Sequence, residues 1–231
     1  MLPLKDNVPT RTFPIVTVSI IVVNVLVWIW EVTGTSVETD VIHYGYYPCK
    51  IDGPCAGPAL LAEIPWYENA FTSMFMHGGW EHIIFNMLFL WIFGNNVEDA
   101  LGKFRFFVWY IVGGLAATVL QTFVTLNFGN AQDASIPNIG ASGAIAAVLG
   151  AYLVLLPRAR VLVLILIFFL EIPAVLFLGI WFFFQLWQGG FAIVQPEAGG
   201  GVAFFAHIGG FVFGAATVLL VAKRRPLQPA Y

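Results

Sequence analysis

The chain has 231 residues, 59% hydrophobic and only 10% charged, with 10 Lys and Arg against 13 Asp and Glu. Mean hydropathy is +0.85, the pI about 5.7 and the net charge −3. A soluble domain averages about 25% charged residues, so these values exclude a disordered chain, a coiled coil and an ordinary cytosolic enzyme. They also leave no basic face for nucleic acid.

The apolar residues form long uncharged runs, which predicts an all-α polytopic membrane protein. A bilayer core about 30 Å thick needs about 20 mostly apolar residues in a helix. Six helices are predicted, at about 13–30, 78–95, 104–126, 142–156, 173–188 and 203–222, within a single membrane domain over 1–231. The first run stops at Glu31 and Gly34, and the second at Gly94-Asn95-Asn96 with Glu98 and Asp99. The first run is too long for a cleaved signal peptide and lacks its small-residue site, so it reads as a retained helix.

The fifth span has two readings. Residues 161–187 would make about 40 Å of helix, more than a simple crossing needs. Glu171 and Pro173 divide the run, and proline with a neighbouring acid suits a helix start. The fifth helix is therefore started near Pro173, and 161–170 becomes a hydrophobic extended strip at the cytoplasmic interface. A tilted, proline-kinked single helix is the competing reading.

Lys and Arg give the orientation. With both termini cytoplasmic, Lys5, Arg11, Lys103, Arg105, Arg158, Arg160, Lys223, Arg224 and Arg225 lie inside, and only Lys50 lies outside. The outside loop, 31–70, carries Cys49 and Cys55. Facing an oxidising space they can form a disulfide; two free thiols is the other reading.

His82, Asn86, Ser142 and His207 lie inside apolar runs. Singly, such a Ser can bond a backbone carbonyl and such a His or Asn can bridge helices. Their depths argue for more. Ser142 lies 16 residues before Arg158, His207 16 before Lys223 and His82 16 before Glu98. At 1.5 Å per residue each is roughly 24 Å from the inner boundary. Asn86 lies one turn deeper on the His82 face. Three reactive side chains from three helices share one level, which points to a site.

Gly140-Ala141-Ser142-Gly143 sets small residues at a loop-to-helix junction, where backbone can approach a substrate closely. Free N–H groups at a helix start can hold an oxyanion. The fourth helix is short, so its start is recessed and the loop 127–139 dips inward. A serine hydroxyl needs a base to take its proton, and His207 serves if helices four and six touch. Gly209, Gly210 and Gly214 lie on the sixth helix, and Gly210 and Gly214 form a close-packing pattern. No Asp or Glu lies near this level, so a two-residue dyad is the natural form. A zinc site is rejected: His77, Glu81 and His82 miss the protease spacings by one residue. No metal or other cofactor is called for.

These motifs resemble the rhomboid family of intramembrane serine proteases. The resemblance rests on Gly140-Ala141-Ser142-Gly143, on Ala206-His207-Ile208-Gly209-Gly210 with Gly214, on the stretch from His77 through His82 to Asn86, and on Gly94-Asn95-Asn96-Val97-Glu98-Asp99 with Gly102. It implies a six-helix rhomboid-like bundle with Ser142 as nucleophile and His207 as general base. His82, Asn86 and the backbone N–H groups of Ser142 and Ala141 would hold the oxyanion. His77, near the cavity mouth, and Gly140 and Gly143 would support the site, and Glu98 would tie the second helix to its loop. Many members place an aromatic residue one turn below the nucleophile, beneath the base; here that position is Ala146. Something else must orient His207.

The reading is a multi-pass endopeptidase of a bacterial or archaeal plasma membrane. It would cut transmembrane protein substrates in the lipid bilayer near the extracytoplasmic end of their helices. The fifth helix and the following loop, with Gly199, Gly200 and Gly201, would form the gate or lid. The alternative is a non-catalytic rhomboid-like protein that binds transmembrane helices for quality control or trafficking.

Overall fold

The computed structural model describes residues 1–34, 36–194, 202–224, 226 and 227. The chain is mostly helical. Strand β1 (Leu2–Asp6) is followed by helix α1 (Ile15–Thr33) and the short α2 (Val37–Tyr44). Two 3-10 turns, Pro48–Lys50 and Gly57–Leu61, then lead to α3 (Trp66–Thr72) and a third turn, Ser73–Phe75. The long helices α4 (Trp80–Leu101) and α5 (Lys103–Phe128) come next, then the one-turn α6 (Ala131–Ala134) and α7 (Ser142–Leu155). Strands β2 (Arg160–Ile165) and β3 (Phe168–Pro173) precede α8 (Ala174–Val194) and α9 (Phe204–Val221).

Among the described residues, four helices are long and apolar enough to cross a membrane: α1, α5, α8 over Ala174–Ala192, and α9. Helix α4 has the length but carries Glu81, Glu98 and Asp99, and α7 is apolar but spans only 14 residues. The shorter α7 lies at the centre, buried continuously from Gly143 to Tyr152. It packs most extensively on α9, and also on α5 and α4. Glycine makes the α7–α9 approach so close. A Cβ at Gly210 would run into the carbonyl of Gly143, one at Gly214 into that of Ala147, and one at Gly150 into that of Phe211.

The all-α expectation is corrected at one end of the bundle. Residues 160–173 fold as a β-hairpin, and β1 adds to it antiparallel, giving a three-stranded sheet in the order β1-β2-β3. Leu2 pairs with Leu164 and Asp6 with Val161, while Val163 pairs with Leu170. The β-branched run alternates as a strand should: Val161 and Val163 are fully buried while Leu162 and Leu164 are less so. The turn places Leu166 in the left-handed region at φ 55° with 87% of its surface exposed, beside Ile167 and Phe168, which are also exposed. The extended reading of 161–170 holds here and the kinked-helix reading does not.

Boundaries moved for identifiable reasons. Glu31 does not stop α1, which continues to Thr33; its carboxylate is buried and accepts the backbone N–H of His77 at 3.2 and 3.3 Å. Helix α4 runs past Gly94-Asn95-Asn96 to Leu101, where Gly102 at φ 79° ends it. Glu98 thus lies on the helix, and its role differs from the loop tie expected. It caps the start of α1, accepting from the N–H groups of Val16 and Thr17 at 3.1 and 2.7 Å and from the Thr17 hydroxyl at 2.8 Å. Helix α8 starts one residue after Pro173 and extends beyond 188, through Gly189, where a Cβ would lie 3.3 and 3.4 Å from Phe205 and Ile208 of α9.

Several cations gather at the end of the bundle that holds the sheet. Asp99 pairs with Arg11 at 3.1 Å and Arg224 at 2.8 Å, and Arg105 donates to the Val221 carbonyl. Asp6 accepts from Tyr152 at 2.5 Å and Asn96 at 2.8 Å, and burial pushes its carboxyl up to about 6. At the opposite end Cys49 and Cys55 are joined in a disulfide, with Tyr47, Ala59, Ala62 and Ala134 around it.

Candidate active site

The site is built on the first turn of α7. Gly140 carries φ 109°, a conformation that L side chains rarely adopt, and its N–H donates to the Ser73 carbonyl at 2.8 Å. The loop before it is pinned again where Tyr46 and Asn138 exchange backbone bonds of 3.1 and 2.8 Å. Upstream, Asn130 and Asp133 cap α6 reciprocally. These ties bring the chain inward to Ala141, which caps α7, and to Ser142, its first residue. The N–H groups of a helix's first turn have no intrahelical partner, so this turn offers donors beside the Ser142 hydroxyl.

His207 lies in the first turn of α9, directly across the seam. Its Nε2 is 2.8 Å from Ser142 Oγ. Its Nδ1 is 2.8 Å from Oε1 of Gln185, on α8. The imidazole also lies 5.9 Å from the indole of Trp181, with 40° between the planes. Ala146, one turn after Ser142, carries only a methyl group, and the contacts to the His207 ring other than Ser142 come from α8.

His82 and Asn86 enter from α4. A Cβ at Gly140 would lie 2.6 Å from His82 Nε2 and 3.6 Å from Asn86 Nδ2, so both side chains border the loop just ahead of Ser142. His77 does not stand at a cavity mouth; it is fully buried. Its Nδ1 lies 3.2 Å from the Phe75 carbonyl and its Nε2 3.1 Å from Asn86 Nδ2. With Nδ1 donating, Nε2 accepts one amide hydrogen of Asn86, leaving the second amide hydrogen for another acceptor. The His77 ring also packs edge-on to His82, with centroids 5.0 Å apart.

A recess opens beside Ser142 between α5, α7 and α9, lined by Met74, Gly114, Thr118, Gln121, Asn138 and Ala206. A wider cavity adjoins it through Gln121, Asn138 and Ala203. Gln121 anchors this corner by accepting the Ala206 N–H at 3.1 Å. Gly143 is needed on the α5 side, since a Cβ there would lie 2.7 Å from the Ala117 Cβ. Among the described residues, no group of three or more His, Cys, Asp or Glu side chains could hold a metal ion. The expected lid glycines, Gly199, Gly200 and Gly201, lie outside the described residues.

Residues 65–224, more than half of the chain, match the family described as the Rhomboid domain. The chain belongs to the rhomboid family. It is 31% identical to the presenilin-associated rhomboid-like protein A, mitochondrial, of Danio rerio over 166 residues, covering 67% of this chain and 39% of that protein. Rhomboid protein 1, mitochondrial, of Saccharomyces cerevisiae is 31% identical over 143 residues, covering 62% and 38%. Rhomboid protease GluP of Bacillus subtilis is 29% identical over 150 residues, covering 64% and 25%. The chain thus spans less than two fifths of the length of these relatives. It is a multi-pass membrane protein whose relatives include mitochondrial and bacterial rhomboids.

Sequence reasoning named Ser142, His207, His82, Asn86 and His77, and the structure brings them together. It did not name Gln185, Trp181 or Glu31 as part of the site. Gln185 is a lone amide in an apolar helix, and the one available signal was that polarity.

Proposed function

We propose that this rhomboid is an intramembrane serine endopeptidase working through a Ser142–His207 dyad. The observation that carries the reading is the 2.8 Å contact from His207 Nε2 to Ser142 Oγ at a recess within an apolar bundle. Ser142 Oγ attacks the scissile carbonyl while His207 Nε2 takes its proton. The imidazolium then returns that proton to the leaving amine, and water repeats the sequence on the acyl-enzyme. The tetrahedral oxygen is held by the free amide hydrogen of Asn86, by His82, and by the N–H groups of Ser142 and Ala141. Donors aimed at that developing charge are typically worth about 10²–10³ in rate each.

The substrate is a transmembrane segment that unwinds near its extracytoplasmic end, because helical hydrogen bonding shields a peptide carbonyl. Six helices then cross or enter the bilayer, with α4 and α7 joining α1, α5, α8 and α9. Both termini are cytoplasmic, supported by the clustering of Arg11, Arg105 and Arg224 about Asp99 and the α9 end. The bare hairpin tip at Leu166–Phe168 suits the inner lipid boundary. A disulfide persists in an oxidising space, which supports the outer face of a bacterial or archaeal plasma membrane for the loop 31–70. One rhomboid domain over 1–231 accounts for this arrangement, with α8 as the gate.

The test is cleavage of a single-pass substrate co-reconstituted in liposomes. Ser142→Ala should abolish it, and a fluorophosphonate should label the parent only when Ser142 and His207 are both present. Cleavage undiminished in Ser142→Ala would reject the mechanism. A folded parent that neither cleaves nor labels would favour the non-catalytic reading.

A further inference from the structure

A histidine that serves as base needs the correct ring tautomer as well as proximity. Nε2 must carry a lone pair toward the serine hydroxyl, so the proton must reside on Nδ1. In many serine hydrolases a carboxylate at Nδ1 enforces this. Here Nδ1 meets the Gln185 Oε1 at 2.8 Å.

The Gln185 amide is itself held. The side chain is 8% exposed, and its Nε2 lies 3.5 Å from the Trp181 carbonyl one turn earlier, which leaves Oε1 to face the imidazole. Trp181 packs near the His207 ring and also lies 6.0 Å from Phe211, which stacks on Phe182 at 4.3 Å. The amide and the ring restraint thus arrive on the same helix, α8, from the side opposite Ser142. Ala146 cannot supply either.

We propose that Gln185 is the positioning residue for His207, holding it in the Nδ1–H tautomer so that Nε2 accepts the Ser142 proton. This rests on the proteolytic reading above and extends it to a Ser142–His207–Gln185 triad whose third member stands on α8 and accepts a hydrogen bond without taking the proton. A carboxylate at this position would bury a charge at several kcal/mol of desolvation; the amide is an acceptor without that cost. Because Gln185 stands on α8, displacement of α8 from α9 separates Oε1 from Nδ1 while leaving the α7–α9 seam intact. The base is fully set only with α8 closed.

The experiment uses the full chain in detergent micelles, with ¹⁵N-labelled histidine rings. The chain has four histidines, and the His207 signals are assigned by their loss in His207→Asn. The parent and Gln185→Glu, which keeps an acceptor, should show the Nδ1–H tautomer. Gln185→Leu and the unbranched Gln185→Met should show a tautomer mixture. With the reconstituted substrate, these two should lose about 10- to 100-fold in kcat, with KM changed less than about twofold. Gln185→Glu should recover most of that loss. If folded Gln185→Leu or Gln185→Met retains the parental tautomer and kcat, the proposal is overturned; a folded Gln185→Glu that shows the Nδ1–H tautomer yet keeps the low kcat of Gln185→Leu also overturns it. The ring spectrum needs no substrate, so a parent that does not cleave would reject the proteolytic reading separately from the positioning of His207.

Discussion

Gly210→Ala probes the packing on which the dyad depends without touching either reactive group. The new Cβ would strike the backbone carbonyl of Gly143, which no rotamer change can relieve, and would lie 3.2 Å from the Ala146 Cβ. Optimal carbon–carbon contact is about 3.5–4.0 Å, so α7 and α9 must part by something on the order of 1 Å. Ser142 and His207 stand on the two helices that part. Their 2.8 Å contact would open to about 3.8 Å, beyond hydrogen-bond reach. A misplacement of about 1 Å can cost about 10²-fold in rate, whereas overpacking typically costs about 1–3 kcal/mol of stability. Activity should therefore fall much further than stability.

The assay is the initial rate of fluorophosphonate labelling in detergent, together with cleavage of a reconstituted transmembrane substrate. Thermal unfolding is followed on the same samples. Gly179→Ala is the matched control, since a Cβ there would meet nothing within 4 Å; it should label and cleave as the parent does. Gly210→Ala labelling within about twofold of the parent would refute the reasoning, because it would show that the seam can spread without separating the pair.

Two further outcomes concern the framework at the other end of the bundle. Asp6 titrates near pH 6 in the folded chain against an ordinary value of 3.8, chiefly because burial disfavours its charge; its stabilising contribution is full below about pH 4 and lost as pH rises through 6, by at most about 3 kcal/mol. Thermal unfolding should therefore occur at progressively lower temperature from pH 4 to 7 in the parent relative to Asp6→Asn, and a parent that gained on the variant over that window would contradict the sign. Glu98→Ala removes the acceptor of three donors at the start of α1 and should cost about 3 kcal/mol. The unfolding temperature should drop while Ser142 labelling persists in the cold, because α1 supplies no side chain to the dyad.

The long helices and the common level of Ser142, His207 and His82 were legible because both follow from local quantities. Uncharged run length reports a span, and the 1.5 Å rise converts distance from an Arg or Lys anchor into depth. The features that escaped depend on pairings across the chain. Five residues at 2–6 carry too little pattern to be read as a strand, and their partner lies at 161–164. Glu31 and Glu98 read as the ends of apolar runs because a charge beside such a run ordinarily marks water. Each is instead buried against backbone N–H donors, of His77 in one case and of Val16 and Thr17 in the other. Gln185 was opaque for the opposite reason: an uncharged amide scarcely interrupts an apolar helix, and its value appears only when α8 lies against His207.

Carboxyl groups are consequently kept from first contact with Ser142 and His207 but stand one step behind them. Glu31 holds the backbone of His77, the His77 ring holds Asn86, and Asn86 borders the loop entering Ser142. On the other side a neutral amide contacts His207 directly. A carboxylate against the imidazole would stabilise the imidazolium, but it would stand in a medium that charges leave water for only at several kcal/mol each. The Glu31 carboxyl at the end of α1 accepts the His77 backbone N–H and fixes geometry without touching the imidazole of His207. The sparse acids of this chain therefore divide from the neutral groups by place: carboxyl groups hold helix ends and loops, and uncharged donors and acceptors surround Ser142 and His207.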